Sequence, residues 1–170
     1  MELTFGEQLI HTCGELPDLG TTPPDFELIT PDLKRMSLVD FKNQPILLNV
    51  FPSIDTKVCS ASVNYFNQQI TKYPNLAVLC ISVDTPFAMK RHCTGFDYKK
   101  ITLLSDFQKH AFGNSYGLTV TDSNVAGVLA RAVLILDENH TLKFRYACQD
   151  ITQSIEYSLV EKSLSDLFDN

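Results

Sequence analysis

A cysteine stands where a buried strand gives way to a helix, and this junction constrains the fold more than any other part of the chain. Residues 46–51 form a short, mostly apolar run, as in a strand that is covered on both faces of its sheet. Pro52 ends the strand, because proline lacks an N–H donor and has a fixed φ. Apolar residues then recur at helical spacing, at Val63, Phe66 and Ile70. The pattern predicts a helix over about 60–73, with Cys59 in or just before its first turn.

The position of Cys59 favours an ionised thiol. The first turn of a helix leaves backbone N–H groups free, and the helix dipole places partial positive charge there. Both effects favour the thiolate, which is the reactive form of cysteine. The carboxyl ends of strands are also where α/β proteins place their chemistry. Cys59 is therefore the candidate nucleophile, and Thr56, three residues earlier, could act as a helix cap.

The remaining patterns predict an α/β fold. Strands are predicted at 3–5, 8–11, 26–29, 76–83, 101–104, 132–136 and 142–146. Helices are predicted over about 86–93, 106–113 and 154–168, with a long loop at 114–130. Strand–helix–strand crossovers followed by a hairpin and a last helix predict a thioredoxin-like fold, with a central mixed β-sheet flanked by helices and an N-terminal β-hairpin extension. At 170 residues, we expect a single domain spanning 1–170.

Composition argues against several classes of partner. The net charge is −6 and the pI is about 5.1, without basic runs, so we expect no nucleic-acid binding. No apolar run approaches the roughly 18 residues of a membrane span, and the N-terminal residues lack the pattern of a signal peptide. We therefore expect a cytoplasmic protein that has no membrane partner.

The five cysteines are odd in number and widely scattered, at positions 13, 59, 80, 93 and 148. In a chain without a secretion signal, this argues against a structural disulfide framework. Cys80 lies in a predicted strand and is expected in the core, whereas Cys13 and Cys148 are expected to be inert, with a secondary disulfide left open. The four histidines form no Cys/His pair at zinc spacing, so we expect neither a metal nor another cofactor.

Pro52, Thr56 and Cys59 match the Pro-x-x-x-Thr-x-x-Cys motif, and the chain thereby resembles the peroxiredoxins. Three further segments are similar to sequences of the thiol peroxidase subgroup. The members of this subgroup are atypical two-cysteine peroxiredoxins with an N-terminal hairpin. These segments are 51–56, 86–93 and 129–139. The resemblance covers nearly the whole chain.

The resemblance implies a thioredoxin-like fold and the reduction of hydrogen peroxide and organic hydroperoxides. It implies that Cys59 is the peroxidatic cysteine and that Cys93 is the resolving cysteine, which forms an intramolecular disulfide with it. Thr56 and Arg131 would orient the thiolate and the peroxide, and Pro52 would shield the pocket. Thioredoxin would be the reductant, and the protein would be a homodimer.

Three places depart from the pattern of that subgroup. Asn64 stands where arginine is common, His92 stands where phenylalanine is usual, and residues 154–157 lack an expected proline. These departures bear on substrate preference and interfaces rather than on the nucleophile.

Ionisation of the thiol gives only a modest rate gain. Lowering the pKa of a free cysteine from about 8.5 to about 6 raises the thiolate fraction roughly 30-fold at pH 7, while nucleophilicity falls on the order of tenfold. A fast peroxidase therefore needs fixed donors that polarise the O–O bond and stabilise the departing oxygen. Arg131 suits this task because a guanidinium is always charged and its donors are directional, although a structural salt bridge is the alternative.

Cys59 and Cys93 are 34 positions apart on different predicted helices. A disulfide requires Cα atoms within about 7 Å. We therefore expect local rearrangement of both segments when the disulfide forms.

Two other classes of function use the same cysteines. One is a disulfide oxidoreductase that acts on protein partners, and the other is a redox-sensing binding module. Neither needs donors that hold a peroxide, so Thr56 together with Arg131 favours the peroxidase.

Overall fold

The computed structural model describes residues 1–73, 75–95, 98 and 101–169. The strands are β1 (Glu2–Phe5), β2 (Gln8–His11), β3 (Leu28–Ile29), β4 (Arg35–Met36), β5 (Ile46–Val50), β6 (Ala77–Ser82), β7 (Ile101–Ser105), β8 (Ala132–Leu136) and β9 (Leu142–Ala147). The α-helices are α1 (Lys57–Gln69), α2 (Pro86–Cys93), α3 (Ala111–Ser115) and α4 (Tyr157–Phe168). Short 3-10 helices cover Leu38–Phe41 and Ile70–Lys72.

In the described residues, seven strands form one mixed sheet in the order β4-β3-β7-β6-β5-β8-β9. Strands β5, β6 and β7 run parallel, and β8 and β9 join them as an antiparallel hairpin. All five residues of β5 are buried, because the strand lies inside the sheet with side chains packed on both faces. The mixed sheet and the thioredoxin-like architecture confirm the predicted fold class.

The register of β5 brings two loops to the same edge of the sheet. Val50, the last residue of β5, is opposite Ala132, the first residue of the antiparallel β8, and also opposite Ile81 of the parallel β6. The residues that follow β5 therefore meet the residue that precedes β8.

Side chains alternate between two core clusters, one on each face of the sheet. One cluster includes Leu48, Val50 and Leu134. The other includes Leu47, Val133, the apolar face of α1 and the buried side of α4. Burial of each large apolar side chain contributes about 1.5–3 kcal/mol. Cys59 belongs to the second cluster, so α1 is held against the sheet close to the cysteine that it carries.

The predicted N-terminal hairpin is present as β1 and β2, with Gly6 at a φ of 63° in the turn. Its first strand is attached to the segment after β9. The N–H of Thr4 donates to Gln149 O at 2.8 Å, and the N–H of Ile151 donates to Thr4 O at 3.0 Å. The hairpin therefore lies close to residues that line the candidate site described below.

Several boundaries differ from the sequence predictions. Helix α1 begins at Lys57 rather than near 60, because Thr56 caps it. The helix predicted at 106–113 occupies Ala111–Ser115, since the buried carboxylate of Asp106 accepts the N–H groups of Phe112 and Gly113 and holds the helix start beyond it. Helix α4 begins at Tyr157 rather than 154.

Smaller differences affect the edge of the sheet. The strand predicted at 26–29 is reduced to β3, and the sequence patterns missed both β4 and the 3-10 helix at Leu38–Phe41. Two-residue strands carry no periodicity from which they could be predicted. None of the described helices combines the length and apolar character needed to cross a bilayer.

The structure predicts that Gly113→Ala destabilises the fold. A Cβ at Gly113 would lie 2.4 Å from Leu129 Cδ2 and 2.5 Å from Thr119 Oγ1, and the Leu129 side chain is buried. Overpacking costs about 1–3 kcal/mol and a better helix propensity returns up to about 1 kcal/mol, so we expect a net loss of roughly 1–2 kcal/mol in urea unfolding.

Gly95→Ala is the matched control, because a Cβ there meets nothing within 4 Å among the described residues. It should change the free energy of unfolding by no more than about 0.5 kcal/mol. Equal effects of the two substitutions would contradict the packing described around α3.

Candidate active site

Cys59 is the third residue of α1, and its side chain is fully buried. The backbone N–H of Cys59 donates to Thr56 Oγ1 at 3.3 Å, so the threonine caps the helix just ahead of the thiol. The prediction that Cys59 lies in the first turn is confirmed. The sulfur is thus placed near the positive end of the α1 dipole.

Arg131 precedes β8 and is buried, with 1% of its surface exposed. Its Nη2 donates to Cys59 Sγ at 3.2 Å, and its Nε donates to Ile151 O at 3.1 Å. Nη1 is also buried, and it has no hydrogen-bond partner among the described residues. The guanidinium therefore contacts the thiol and keeps one donor group available for a ligand.

The charge of Arg131 needs a counter-charge, because an isolated buried cation is costly. Within the described residues, Arg131 forms no ion pair with a carboxylate, and its polar contacts are the Cys59 sulfur and a backbone carbonyl. A thiolate at Cys59 would supply the counter-charge. Such a thiolate and the guanidinium would attract each other across the 3.2 Å contact.

A cavity of about 200 Å³ leads to the guanidinium. It is lined by Phe5, Pro52, Thr56, Lys57, Val58, Arg131, Ile151 and Thr152. One water molecule occupies about 30 Å³ of liquid, so the space suffices for a small ligand. The wall is largely apolar, and the Arg131 guanidinium is therefore well placed to orient a polar group within it.

The predicted site residues Pro52, Thr56 and Arg131 are brought together around this cavity, next to Cys59. The hydroxyl of Thr56, however, accepts from Cys59 N and lies 3.3 Å from Ser53 O, to which it donates. These contacts match its interpretation as a helix cap. A contact between Thr56 and a peroxide stays a prediction.

Asp84, which no sequence pattern marked as a site residue, fixes the loop between β5 and α1. Its carboxylate accepts from Ser53 Oγ at 2.8 Å, Ile54 N at 2.7 Å and Ser82 Oγ at 2.6 Å. Its backbone carbonyl accepts from Ser105 Oγ. The carboxylate thereby ties the segment that carries Pro52 to the end of β6. A serine-rich strand end is too common a pattern to have revealed this role.

The structure places Cys93 outside the cavity beside Arg131. Cys93 is the last residue of α2, is half-buried, and lines a separate cavity of about 510 Å³ that shares no lining residue with the first. Burial, together with the charge of Asp32, raises the pKa of the Cys93 thiol. All five cysteines are free thiols, so the structure describes the reduced protein.

The other three cysteines lie outside the cavity beside Arg131. Cys80 is buried in β6, and burial raises the pKa of its thiol to about 12. Cys148 is buried and its thiol lies 3.7 Å from Ser154 O, whereas Cys13 is exposed. Across the described ranges, His, Cys, Asp and Glu side chains form no group of three or more that could hold a metal ion.

The fold and the site define a class of protein. A thioredoxin-like sheet that presents a helix-start cysteine to a buried arginine is the arrangement of a thiol-based redox protein. The comparisons with known proteins agree with this class. A family model described as Redoxin matches residues 18–164.

Two curated relatives carry the name thiol peroxidase. The protein from Corynebacterium glutamicum is 36% identical over 154 residues, which are 91% of this chain and 93% of the relative. The protein from Vibrio cholerae is 34% identical over 164 residues, which are 96% of this chain and 100% of the relative. The chain therefore belongs to the redoxin family and, within it, to the thiol peroxidases, an enzyme group, as the sequence resemblance predicted.

Solved structures share the fold over nearly the full length. A thiol peroxidase from Chromobacterium violaceum superimposes with a TM-score of 0.89 at 20% identity, covering 98% of this chain and 96% of the other. A peroxiredoxin-like protein from Aquifex aeolicus gives a TM-score of 0.91 at 26% identity, with the same coverage.

We predict that Asp84→Asn destabilises the protein and slows its chemistry. The amide has one acceptor oxygen in place of two, and its NH₂ group would face groups that now donate to the carboxylate. The expected loss is about 1–3 kcal/mol in urea unfolding, with a slower oxidation of Cys59 because the preceding loop is no longer fixed.

Asp32→Asn is the control for loss of a carboxylate charge. Asp32 is exposed and forms an ion pair with Lys90 at 2.9 Å, so its substitution should leave the urea midpoint nearly unchanged. Equal stability of Asp84→Asn and wild type would refute the role given to Asp84.

Proposed function

We propose that Cys59 is the nucleophile of a thiol-dependent peroxidase that reduces hydrogen peroxide and organic hydroperoxides. The observation that carries this proposal is the 3.2 Å contact between Arg131 Nη2 and Cys59 Sγ, with Arg131 Nη1 left without a partner among the described residues. Membership of the thiol peroxidases supports the reaction type.

In the first step, the Cys59 thiolate attacks the distal oxygen of the peroxide. An S–O bond forms and the O–O bond breaks, so that the sulfur is oxidised by two electrons to a sulfenic acid. The departing oxygen leaves as hydroxide or alkoxide and takes up a proton to give water or an alcohol. Negative charge therefore moves from the sulfur toward the departing oxygen during the step.

Arg131 is suited to stabilise negative charge both on the Cys59 sulfur and on the departing oxygen. Nη2 contacts the sulfur, and Nη1 belongs to the same rigid plane, so a peroxide oxygen bound there lies close to the thiolate. A fixed donor in a buried site stabilises developing charge without reorganisation during the reaction. Pro52 and Phe5 line the cavity and limit the access of water to it.

In the second step, the Cys93 thiol attacks the sulfur of the Cys59 sulfenic acid. The S–S bond forms, the S–O bond breaks, and water leaves. Cys93 lines a cavity that is separate from the cavity beside Arg131, and this supports the expectation that α1 and α2 rearrange locally before the disulfide can form. A dithiol reductant then restores both thiols. Thioredoxin as that reductant, the homodimer and the cytoplasmic location stay predictions.

The proposed roles of Cys59 and Cys93 predict different defects when each is replaced by serine. Cys59→Ser should abolish peroxide consumption in an assay with thioredoxin, thioredoxin reductase and NADPH, because it removes the nucleophile. Cys93→Ser should form one sulfenic acid per chain, detectable by mass spectrometry after trapping, and then stall with thioredoxin.

Cys13→Ser is the control for loss of a thiol, since Cys13 is exposed and lies outside the cavity. It should retain wild-type turnover. Full activity in Cys59→Ser would overturn the proposed function.

Arg131→Lys tests the guanidinium separately from the thiol. Lysine keeps the positive charge but loses the planar pair of donors, so we expect oxidation of Cys59 by hydrogen peroxide to slow by about 100-fold in stopped-flow measurements. Thiol titration would show the nucleophile still present.

Arg145→Lys is the control for replacing an arginine by a lysine elsewhere in the protein. Arg145 lies on β9 and donates to Leu16 O and Pro17 O, outside the cavity. Its substitution should change the oxidation rate by less than about twofold. Comparable rates in the two variants would exclude a directional role for Arg131.

A further inference from the structure

Three side chains form a hydrogen-bonded bridge between the two helices that carry Cys59 and Cys93. Tyr98 Oη donates to Oδ1 of Asn64 on α1 at 3.1 Å, and Nε2 of His92 on α2 lies 2.9 Å from Tyr98 Oη. The rings of His92 and Tyr98 are stacked, with centroids 5.8 Å apart and an interplanar angle of 12°. We call Asn64, Tyr98 and His92 the α1–α2 bridge.

The bridge joins the helix that holds Cys59 to the end of the helix that holds Cys93. His92 directly precedes Cys93, and Tyr98 lines the same cavity as Cys93. Asn64 lies on α1, whose first turn holds Cys59. Because the bridge spans both helices, a movement of one helix relative to the other strains or breaks it.

The bridge is partly shielded from water. Asn64, His92 and Tyr98 are all half-buried, so their hydrogen bonds compete with water less than surface contacts do. The Tyr98 hydroxyl is protonated at neutral pH and can donate, and burial raises its pKa further, to about 12. A second tie between the same regions, the ion pair of Arg91 with Asp55 at 3.1 Å, is exposed and correspondingly weak.

We propose that Tyr98 is a positioning residue that holds Cys93 in its own cavity until Cys59 is oxidised, and that breaking the bridge sets the rate of disulfide formation. This inference rests on the proposed peroxidase function and concerns its second step. Tyr98 touches neither the cavity beside Arg131 nor the reacting sulfur of Cys59 in the contacts of the described residues.

The rate of disulfide formation decides whether the Cys59 sulfenic acid forms the disulfide or is oxidised further. While the bridge is intact, a second peroxide can react with the Cys59 sulfenic acid. The sulfur then gains another oxygen to become a sulfinic acid, and the O–O bond breaks with release of water or an alcohol. The bridge therefore prolongs the interval during which excess peroxide inactivates the enzyme.

Tyr98→Phe removes the shared hydroxyl and keeps the ring. The first step, oxidation of Cys59 followed by stopped-flow, should stay within twofold of wild type. Disulfide formation, followed by acid quench, alkylation and mass spectrometry, should accelerate by about tenfold, because two hydrogen bonds no longer have to break. The fraction of sulfinic acid at high hydrogen peroxide should fall accordingly.

Tyr65→Phe is the matched control. Tyr65 lies on α1, like Asn64, but its hydroxyl donates to Glu161 of α4 and takes no part in the α1–α2 bridge. Its loss should leave the rate of disulfide formation within twofold of wild type. His92→Phe, which keeps an aromatic ring but removes the nitrogen, should also accelerate disulfide formation.

Three results would overturn the proposal. They are an unchanged disulfide rate in Tyr98→Phe, an equal acceleration in Tyr65→Phe, or a change of more than twofold in the first step of Tyr98→Phe. Absence of Cys59 oxidation in the wild-type protein would instead overturn the peroxidase function itself, so the two failures are distinguishable.

Discussion

The contact between the buried guanidinium of Arg131 and the sulfur of Cys59 is the interaction on which the rest of the site depends. Moving a charge out of water costs several kcal/mol unless an opposite charge compensates it. In the proposed mechanism, the compensating charge is the Cys59 thiolate at the start of α1, where the helix dipole is positive. Under that proposal, one contact would both compensate the buried cation and hold the nucleophile in its reactive form.

The pairing of strands in the sheet brings Cys59 and Arg131 together. Cys59 follows a parallel strand and Arg131 precedes an antiparallel one, and the pairing of Val50 with Ala132 places both at the same edge. Asp84 then fixes the loop between β5 and α1, so that a cavity remains beside the guanidinium. Since ionisation of a thiol gives only a few-fold rate gain, the proposed mechanism requires this fixed geometry to supply most of the acceleration.

Local patterns were sufficient to predict the buried strands, the β1–β2 and β8–β9 hairpins, α2 and the position of Cys59 at a helix start. The features that these local patterns missed are determined by tertiary contacts. Asp106 holds back the start of α3, and Phe5 lines the cavity because backbone hydrogen bonds join Thr4 to residues 149 and 151, about 145 positions away. Asn64 and His92 stood out in the sequence as departures from the subgroup, but their connection through Tyr98 required coordinates.

The exposure of Cys13 has a practical consequence for handling the protein. An accessible sulfur far from the cavity can join two molecules covalently when a sample is stored in air. A species of doubled mass on electrophoresis without reductant would then report oxidation during storage rather than native assembly. Quaternary structure is therefore measured most cleanly by light scattering on freshly reduced material.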